Sequence, residues 1–449
     1  MRTLAFALTA LFTCASSHAN EGTHRPHVVI FISDDMGWND VGYHGSPADT
    51  PHIDQLVAEG LELDRFYVHP ICTPTRAALM TGRMPARFGI TGPLSNGGDK
   101  GVPAEETFIS EVFREAGYET ALTGKWHLGS GEIHHPTARG FDHFYGHLSG
   151  MIDYFDHTNG NTLDWQRNGV TLREEGYSTD LIAAEAVKVI EGSIPQRPFF
   201  LIVPFNAPHG PAQAPQALVE KYEAEGHRAE TATRLASIDS MDQAIGTIVG
   251  ALDSKGLTHH TLVLFFCDNG AKVGKRAPAI SDEGLALRGG KSELYEGGIR
   301  VPAVMRWPER IPAGTKSDSF ISVLDLLPTL AAAMGIPFEP HQPLDGVNRW
   351  DQLTSNGDAS GAPIIIAGQR GVMTAIEEPF KLILSGDSIP QLYNVVADPT
   401  ESEDLADSHP NEVERLLAVL EPHSNLNPRG KKAENRTRKG KKRLQPNRN

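Results

Sequence analysis

The chain has 449 residues, of which 22% are charged and 39% hydrophobic, and its formal net charge is −15. This composition is that of a globular protein with a sizeable core, and the length suggests two or three domains. It excludes a largely disordered chain, and the acidic balance gives no reason to expect a nucleic-acid partner. Beyond the first residues there is no apolar run long enough to cross a bilayer, so no transmembrane segment is expected.

Both ends of the chain differ from the rest in composition. Residues 1–19 combine a basic start, a short apolar run and the small residues Ser17 and Ala19, which predicts a signal peptide and a periplasmic or secreted protein. Residues 426–449 contain ten Lys or Arg residues against the single acid Glu434, and without apolar periodicity they are predicted to be a disordered tail. Such a tail is either simply solvated or attracted to an acidic polysaccharide or an anionic membrane surface.

Short apolar runs alternate with helical patterns along residues 20–338. Buried strands are predicted at 27–33, 118–123, 198–203 and 261–267. Helices are predicted from Thr50-Pro51 to Gly60 and at 107–116, 181–191 and 231–253. This alternation is typical of an α/β fold, in which a large, mostly parallel or mixed sheet is flanked by helices.

The composition changes at the proline-rich segment 337–340, where a linker is predicted. Short strands are predicted beyond it at 363–367, 371–376, 381–384 and 391–395, with a helix at 412–420. Residues 339–425 are therefore predicted to form a small α+β subdomain, with an antiparallel sheet packed against a helix.

Polar residues directly follow four of the predicted strands. They are Asp34 and Asp35, Lys125 and His127, His209, and Asp268 with Asn269. Because ligands bind beyond the carboxyl ends of the strands in open α/β sheets, one sheet would gather these segments at a single edge. Lys125 and His127 are two residues apart, so a strand end would point both side chains the same way.

Asp34, Asp35, Asp268 and Asn269 together offer three carboxylates and one amide oxygen. These hard donors suit Ca²⁺ or Mg²⁺ better than a structural zinc ion. Taken alone, each pair could instead be a polar turn, and each nearby lysine or histidine a solvated charge or a hydrogen-bonded loop imidazole.

The most unusual local pattern is Cys-Thr-Pro-Thr-Arg at 72–76. Thr73 is an acceptable N-cap and Pro74 suits the first helical position, so a helix is predicted to begin there. Cys72 would lie at its positive end, with Arg76 about one turn further on, an arrangement suited to attack on an anionic group. A buried structural cysteine is the alternative.

This run, followed by Thr81-Gly82-Arg83, resembles the sulfatase signature Cys-x-Pro-x-Arg with a later Thr-Gly-Arg. Gly-Lys-Trp-His at 124–127, Pro-His at 208–209 and the glycine-rich segment 287–302, which carries Lys291, are similar to the same family. The resemblance covers about 26–423. It implies an alkaline-phosphatase-like fold and a sulfuric ester hydrolase, with residues 20–338 as the catalytic domain.

The resemblance also implies that a maturation enzyme converts Cys72 to formylglycine. Conversion would exclude a disulfide with Cys267, the other cysteine left after signal cleavage. Cys267 stands where the family commonly has Ser or Thr.

The resemblance implies a role for each site residue. The metal ligands would be Asp34, Asp35, Asp268 and Asn269, with Ca²⁺ the usual ion. A hydroxyl of the hydrated formylglycine would attack sulfur, while Lys125, Lys291, Arg76 and the metal offset the charge on the sulfuryl oxygens. His209 is the first choice as acid for the leaving oxygen, with help from Lys291, and His127 would assist release of sulfate from residue 72.

Within the family, residues 147–157 and 176–180 look most like arylsulfatase B, an N-acetylgalactosamine 4-sulfatase. This implies a sulfated carbohydrate substrate with a galactose-type 4-sulfate, in a glycosaminoglycan or an algal galactan such as carrageenan. Asp153, Tyr154 and His157 either contact the sugar or support a loop.

Two other functions compete with a sulfatase. A phosphatase or phosphodiesterase of the same superfamily would generally use Ser or Thr as nucleophile, often with two metals. A non-catalytic polysaccharide-binding protein on this scaffold would have lost the nucleophile or ligands. The complete signature and the single set of four ligands argue against both.

Overall fold

The computed structural model describes residues 25–95, 97, 100–194, 196–272, 286–354, 361–385 and 389–426. The predicted signal peptide at 1–19 and nearly all of the predicted tail at 426–449 lie outside the described residues. Within the described part, none of the helices combines the length and the apolar character of a membrane span.

A mixed sheet of 11 strands forms the centre of the molecule, with a two-stranded ribbon beside it. In chain order, the strands of this sheet and of the ribbon (β5 and β6) are β1 (His27–Ser33), β2 (Leu61–Tyr67), β3 (Glu119–Lys125), β4 (His143–His147), β5 (Thr158–Asn159), β6 (Thr162–Leu163), β7 (Gln166–Arg167), β8 (Val170–Thr171), β9 (Phe199–Pro204), β10 (Thr261–Cys267), β11 (Arg300–Val301), β12 (Ala303–Arg306) and β13 (Thr315–Ser322).

Helices cover the central strands in two groups. The helices of the described residues are α1 (Pro51–Ala58), α2 (Cys72–Thr81), α3 (Ile109–Glu115), α4 (Ser178–Gly192), α5 (Gln216–Ala224), α6 (Ala229–Ser254), α7 (Glu296–Ile299), α8 (Leu326–Ala333), α9 (Trp350–Thr354) and α10 (Pro410–Leu420). Helices α1, α4 and α5 pack on α6, whereas α2, α3 and α8 pack on one another. Every residue of β1 is buried, as expected for a strand covered on both faces. The predicted α/β fold is confirmed.

Five neighbouring strands of the sheet, β10, β1, β9, β3 and β4, run parallel to one another. Ser33 at the end of β1 pairs with Cys267 at the end of β10, and Ile32 pairs with Pro204 at the end of β9. The residues that follow these strands therefore leave the sheet at the same edge.

Helix α2 begins two residues earlier than predicted. Its N-cap is Ile71, not Thr73, and Cys72 is its first residue. Pro74 is tolerated as the third residue because the first N–H groups of a helix have no intrahelical acceptor. The Thr73 hydroxyl instead accepts a hydrogen bond from the Leu94 amide at 3.3 Å. Cys72 still lies at the positive end of the helix, as predicted.

A second, antiparallel sheet lies near the C-terminus. Its strands, in order across the sheet, are β14 (Ile364–Ala367), β15 (Val372–Glu377), β16 (Phe380–Ser385) and β17 (Gln391–Asn394). One face packs against Leu416 and Leu420 of α10, and the other against Leu294 and Ile299 of the larger part. The antiparallel sheet and its helix match the expected C-terminal elements, while the proposed domain boundary between 338 and 339 stays a prediction.

A fully buried ion cluster joins the two sheets. The Lys381 ammonium on β16 lies 2.8 Å from Glu296 Oε1 and 2.6 Å from Glu401 Oε1. The Glu296 amide also donates to Glu401 Oε2 at 2.7 Å. Because buried charges are stable only when paired, this cluster fixes the small sheet against α7.

Helix α1 is capped from another helix, which yields a test of the packing. Thr50 makes no side-chain capping bond, and Asp242 of α6 instead accepts from the amides of His52 (3.1 Å) and Ile53 (2.8 Å). We expect Asp242→Ala to lower the free energy of unfolding by about 1–3 kcal/mol, since one buried and one partly buried amide lose their acceptor. Asp253→Ala, at an exposed position of the same helix, is the control and should change stability far less in urea denaturation.

Candidate active site

The predicted metal-binding residues meet at the carboxyl edge of the parallel strands. Asp34, Asp268 and Asn269 follow β1 and β10, and all are buried. Asp34 has ligand atoms within 4.8 Å of those of Asp35 and His209, and also of those of Cys72 and Asp268. Asp34 and Asp268 are thus close enough to share one ion.

Three oxygens of this group have no hydrogen-bond partner among the described residues. They are Asp34 Oδ1, Asp268 Oδ1 and Asn269 Oδ1. Asn269 uses its amide nitrogen to donate to Asp35 Oδ1 at 2.8 Å, which leaves its oxygen free for another partner. Buried oxygens are rarely left unsatisfied in proteins, and this hard-donor set fits a divalent cation.

Three cationic side chains pair with the three carboxylates. Lys125 Nζ lies 2.5 Å from Asp34 Oδ2, and Arg76 Nε donates to Asp268 Oδ2 at 2.9 Å. Arg76 also donates through Nη1 to the Lys125 carbonyl at 2.8 Å. Lys291 Nζ pairs with Asp35 Oδ1. The three cations come from different parts of the chain, and each contacts one carboxylate of the acidic group.

The pKa values of the Asp34 and Asp268 carboxyl groups are shifted in opposite directions. Burial opposes ionisation of Asp34, but the surrounding positive charges, Lys125 first among them, together outweigh it and hold the pKa of Asp34 well below its usual range. Burial and the neighbouring Asp34 charge raise the pKa of Asp268 to about 7. Two carboxylates this close repel each other, so additional positive charge between them would be stabilising.

Cys72 faces the imidazole of His127. Its Sγ lies 3.3 Å from His127 Nδ1, while His127 Nε2 lies 3.3 Å from the Leu94 carbonyl. A carbonyl only accepts, so Nε2 carries the proton and Nδ1 presents a lone pair to residue 72. Burial, followed by the charges of Lys125 and Arg76, holds the pKa of His127 well below its usual range, so the ring is neutral near pH 7.

His127 reaches the site in a different way from that expected. Lys125 is the last residue of β3, two residues beyond the predicted end of that strand, whereas His127 has a left-handed backbone with φ +61°. A turn after the strand, rather than strand alternation, therefore brings the imidazole beside Cys72.

The segment that carries Lys291 folds closely onto the metal-binding edge. The Lys291 amide donates to the Ala271 carbonyl at 2.9 Å, and the Gly270 amide to the Gly298 carbonyl at 3.1 Å. A Cβ at Gly270 would overlap the Gly297 carbonyl oxygen, so only glycine permits this approach.

A sulfatase family model matches residues 26–336. The chain belongs to the sulfatase family. It is a sulfuric ester hydrolase, and the fold and family expected from the motifs are confirmed.

Individual relatives agree with this assignment. Mouse arylsulfatase J is 29% identical over 460 aligned residues, which span 89% of this chain and 76% of that protein. Dog N-acetylgalactosamine-6-sulfatase is 31% identical over 364 residues, spanning 76% of this chain and 68% of that one. The crystal structure of Ps i-CgsB in complex with k-i-k-neocarrahexaose superposes with a TM-score of 0.83 and 33% identity, covering 90% of this chain and 93% of the other.

A pocket of about 500 Å³ opens over several of the predicted site residues of this sulfatase. Its deeper, buried lining includes Cys72 and His127, with His209 and Lys291 beside them. Its more exposed lining includes Leu94, Ser95 and Met151 in loops, Asn159 at the end of β5, and Gln369 between β14 and β15. Gln369 belongs to the small C-terminal sheet region, so both parts of the chain line the pocket.

Sequence reasoning missed this loop lining because single residues in irregular segments carry no periodic signal. It left open whether Asp153, Tyr154 and His157 contact sugar or support a loop. Tyr154 and His157 are buried, and Asp153 accepts hydrogen bonds from the Phe155 amide (2.9 Å) and from Gln213 (2.7 Å). These contacts favour the loop-supporting role.

The close contact behind His127 gives a prediction for this sulfatase. A Cβ at Gly150 would overlap the His127 imidazole, so we expect Gly150→Ala to displace the ring from its present position beside residue 72. The kcat/KM for 4-nitrophenyl sulfate should fall about tenfold or more, because general acid–base catalysis requires the imidazole to lie within hydrogen-bond distance of the proton that it moves. Steady-state kinetics and a thermal melt would measure the effect.

The matched control is Gly250→Ala on α6, where an added Cβ meets no atom within 4 Å. It should leave activity unchanged and either preserve or slightly raise stability. Full activity of Gly150→Ala would show that the position of the His127 ring is unimportant.

Proposed function

We propose that this sulfatase removes sulfate from a sulfated carbohydrate, with a galactose-type 4-sulfate as its target and a formylglycine at position 72 as its nucleophile. The observation that carries the proposal is the contact between residue 72 and the His127 lone pair. It lies beside three carboxylate or amide oxygens that have no hydrogen-bond partner among the described residues and suit a metal ion. A thiol is a poor fit as the working nucleophile there, because burial raises the pKa of Cys72 above its ordinary value.

Conversion of Cys72 by a maturation enzyme would supply an aldehyde whose hydrate offers a hydroxyl to the sulfur atom. His127 Nδ1, 3.3 Å from Sγ, is in position to accept a proton from a hydroxyl on residue 72. Its hydrogen bond to the Leu94 carbonyl keeps the ring in the required tautomer.

The proposed ligands of a divalent ion are Asp34, Asp35, Asp268 and Asn269, and we propose Ca²⁺, with Mg²⁺ as the alternative. Such an ion would supply positive charge to a sulfate oxygen and to the nucleophile. Carboxylate and amide oxygens without thiolates are the donors that hard cations prefer.

The charge balance of the site suits an anionic ester. Three carboxylates pair with Lys125, Lys291 and Arg76, so a divalent ion leaves an excess of two positive charges. Lys125 and Arg76 are buried, where fixed charges act most strongly on a developing negative charge. Arg76 holds Asp268 and the Lys125 carbonyl, so we assign it to ordering this end of the site.

His209 and Lys291 are proposed to assist the leaving oxygen. Both line the pocket beside residue 72, and His209 Nε2 lies 3.6 Å from Asp35 Oδ2. His209 Nδ1 lies 2.6 Å from the Gly210 carbonyl and must donate to it, so Nε2 would give a proton to the leaving oxygen from the doubly protonated ring and keep a lone pair afterwards.

Related proteins support a galactose-type substrate. The related Ps i-CgsB structure contains a neocarrahexaose, and 31%-identical relatives act as N-acetylgalactosamine-6-sulfatases. We propose the 4-sulfate from the likeness of 147–157 to arylsulfatase B, with the 6-sulfate as the competing position. The predicted signal peptide supports a periplasmic or secreted location.

Replacement of residue 72 tests the proposed nucleophile. Cys72→Ala should abolish sulfate release from 4-nitrophenyl sulfate and from a 4-sulfated galactose oligosaccharide, while the melting temperature stays close to that of the parent. Mass spectrometry of the parent tryptic peptide should show the mass of formylglycine in place of cysteine.

Cys267→Ser is the matched control, because this cysteine is buried but does not face the pocket, and it should keep most of the activity. Faster hydrolysis of 4-nitrophenyl phosphate than of the sulfate would instead support a phosphatase. A preference for 6-sulfated over 4-sulfated sugar would overturn only the proposed position of the ester.

Removal of divalent ions tests the proposed metal site. Dialysis against a chelator should lower both the melting temperature and the activity, because clustered carboxylates then repel without a shared ion. Added Ca²⁺ should restore both, and a titration with Mg²⁺ would rank the two ions.

Asp34→Asn provides the comparison, since it removes a carboxylate from the centre of the ligand group. Its melting temperature should respond less to the chelator than that of the parent. Equal responses in parent and variant would place the bound ion elsewhere.

A further inference from the structure

A buried hydroxyl helps to hold the turn that carries His209. This turn follows β9 and is closed by a hydrogen bond from the His209 amide to the Asn206 carbonyl at 2.9 Å. Tyr154 Oη lies 2.9 Å from the Asn206 carbonyl oxygen and 2.8 Å from the His209 carbonyl oxygen. Both carbonyls only accept, so the single O–H proton of the tyrosine is shared between them. Its side chain is 0% exposed.

Tyr154 is itself fixed by the segment that follows the turn. Its amide donates to Gln213 Oε1 at 2.8 Å, and its ring stacks on Tyr177 at 5.3 Å between centroids with a 14° angle. Gln213 also donates to Asp153 Oδ2 at 2.7 Å. Residues 153–154 and 206–213 thus hold each other at several points.

The backbone of the turn decides where the His209 imidazole lies. His209 Nδ1 donates to the Gly210 carbonyl, which ties the ring to its own backbone. A shift of the turn therefore shifts Nε2, the nitrogen that lies 3.6 Å from Asp35 Oδ2. Near-neutral pH leaves the Tyr154 hydroxyl intact as a donor, because burial raises its pKa well above the ordinary value.

We propose that Tyr154 is a positioning residue for His209, and that its hydroxyl keeps Nε2 within reach of the oxygen that leaves the sulfate ester. This inference rests on the proposed sulfatase function and on the acid role of His209. It assigns a part in the reaction to a loop residue that does not line the pocket.

The leaving group distinguishes this role from general support of the fold. A sugar alkoxide is strongly basic and needs a proton to leave, whereas 4-nitrophenolate leaves readily without one. Misplacement of the acid should therefore slow sugar sulfates much more than the aryl sulfate. A loss of fold or of the metal site would slow both alike.

Tyr154→Phe removes only the hydroxyl and is the direct test. We expect its kcat/KM to fall about tenfold to hundredfold on a sulfated galactose oligosaccharide, and less than about threefold on 4-nitrophenyl sulfate. His209→Ala should change the ratio of the two rates in the same direction and further. Adding Tyr154→Phe to His209→Ala should cause little additional change, because both substitutions act on one group.

Tyr145→Phe is the matched control. Tyr145 is also buried, and its hydroxyl donates to Glu174 Oε2 at 2.7 Å. It should leave the ratio of the two rates unchanged. If Tyr154→Phe melts too low for kinetics, Gln213→Ala removes the acceptor of the Tyr154 amide, which should loosen Tyr154 and shift the ratio in the same direction.

The outcomes separate this inference from the function on which it rests. Parent enzyme without activity on either ester would contradict the proposed function itself. Parent activity on both esters, together with an unchanged ratio in Tyr154→Phe or in His209→Ala, would overturn the positioning role alone. Additive losses in the double variant would also overturn it, since Tyr154 would then act independently of His209.

Discussion

Three buried carboxylates converge on one edge of the central sheet, and the rest of the active site is arranged around their mutual repulsion. Parallel strands β1 and β10 end side by side, so Asp34 and Asp268 have to be neighbours. Lys125, Arg76 and Lys291 each neutralise one member of the group. The same cations that make the acidic cluster tolerable also surround the position where an anionic ester would bind.

Because the same cations serve both purposes, they must lie close to the carboxylates. This requirement explains the close backbone contacts around the pocket. Lys291 reaches Asp35 only because the segment after it lies directly on Gly270, where a side chain would not fit. Gly150 plays the corresponding part behind His127. The glycines thus fix distances between polar groups of the proposed site, where their contribution would be one of spacing rather than of chemistry.

Features with a local or periodic signal could be predicted from sequence. Strand β1, the polar pair after it and the signature at Cys72 each occupy a few consecutive residues. Ligands bind beyond the carboxyl ends of the strands in open α/β sheets, and this rule predicts that the side chains lie together. Prediction failed where distant contacts override local preference: Ile71 rather than Thr73 caps α2. Gln369 in the pocket and Tyr154 beneath His209 depend on long-range packing, which leaves no mark in a single sequence.

The buried ion cluster between the sheets has a consequence for how this enzyme could be shortened or recombined. Cutting away the small sheet would strip the buried Glu296, just beyond the Lys291 segment, of the Lys381 ammonium, its closest cationic partner. Gene fusions or truncations made at the proline-rich 337–340 stretch should therefore yield insoluble halves rather than two working modules. The C-terminal region is better regarded as an integral part of the enzyme than as a separable module.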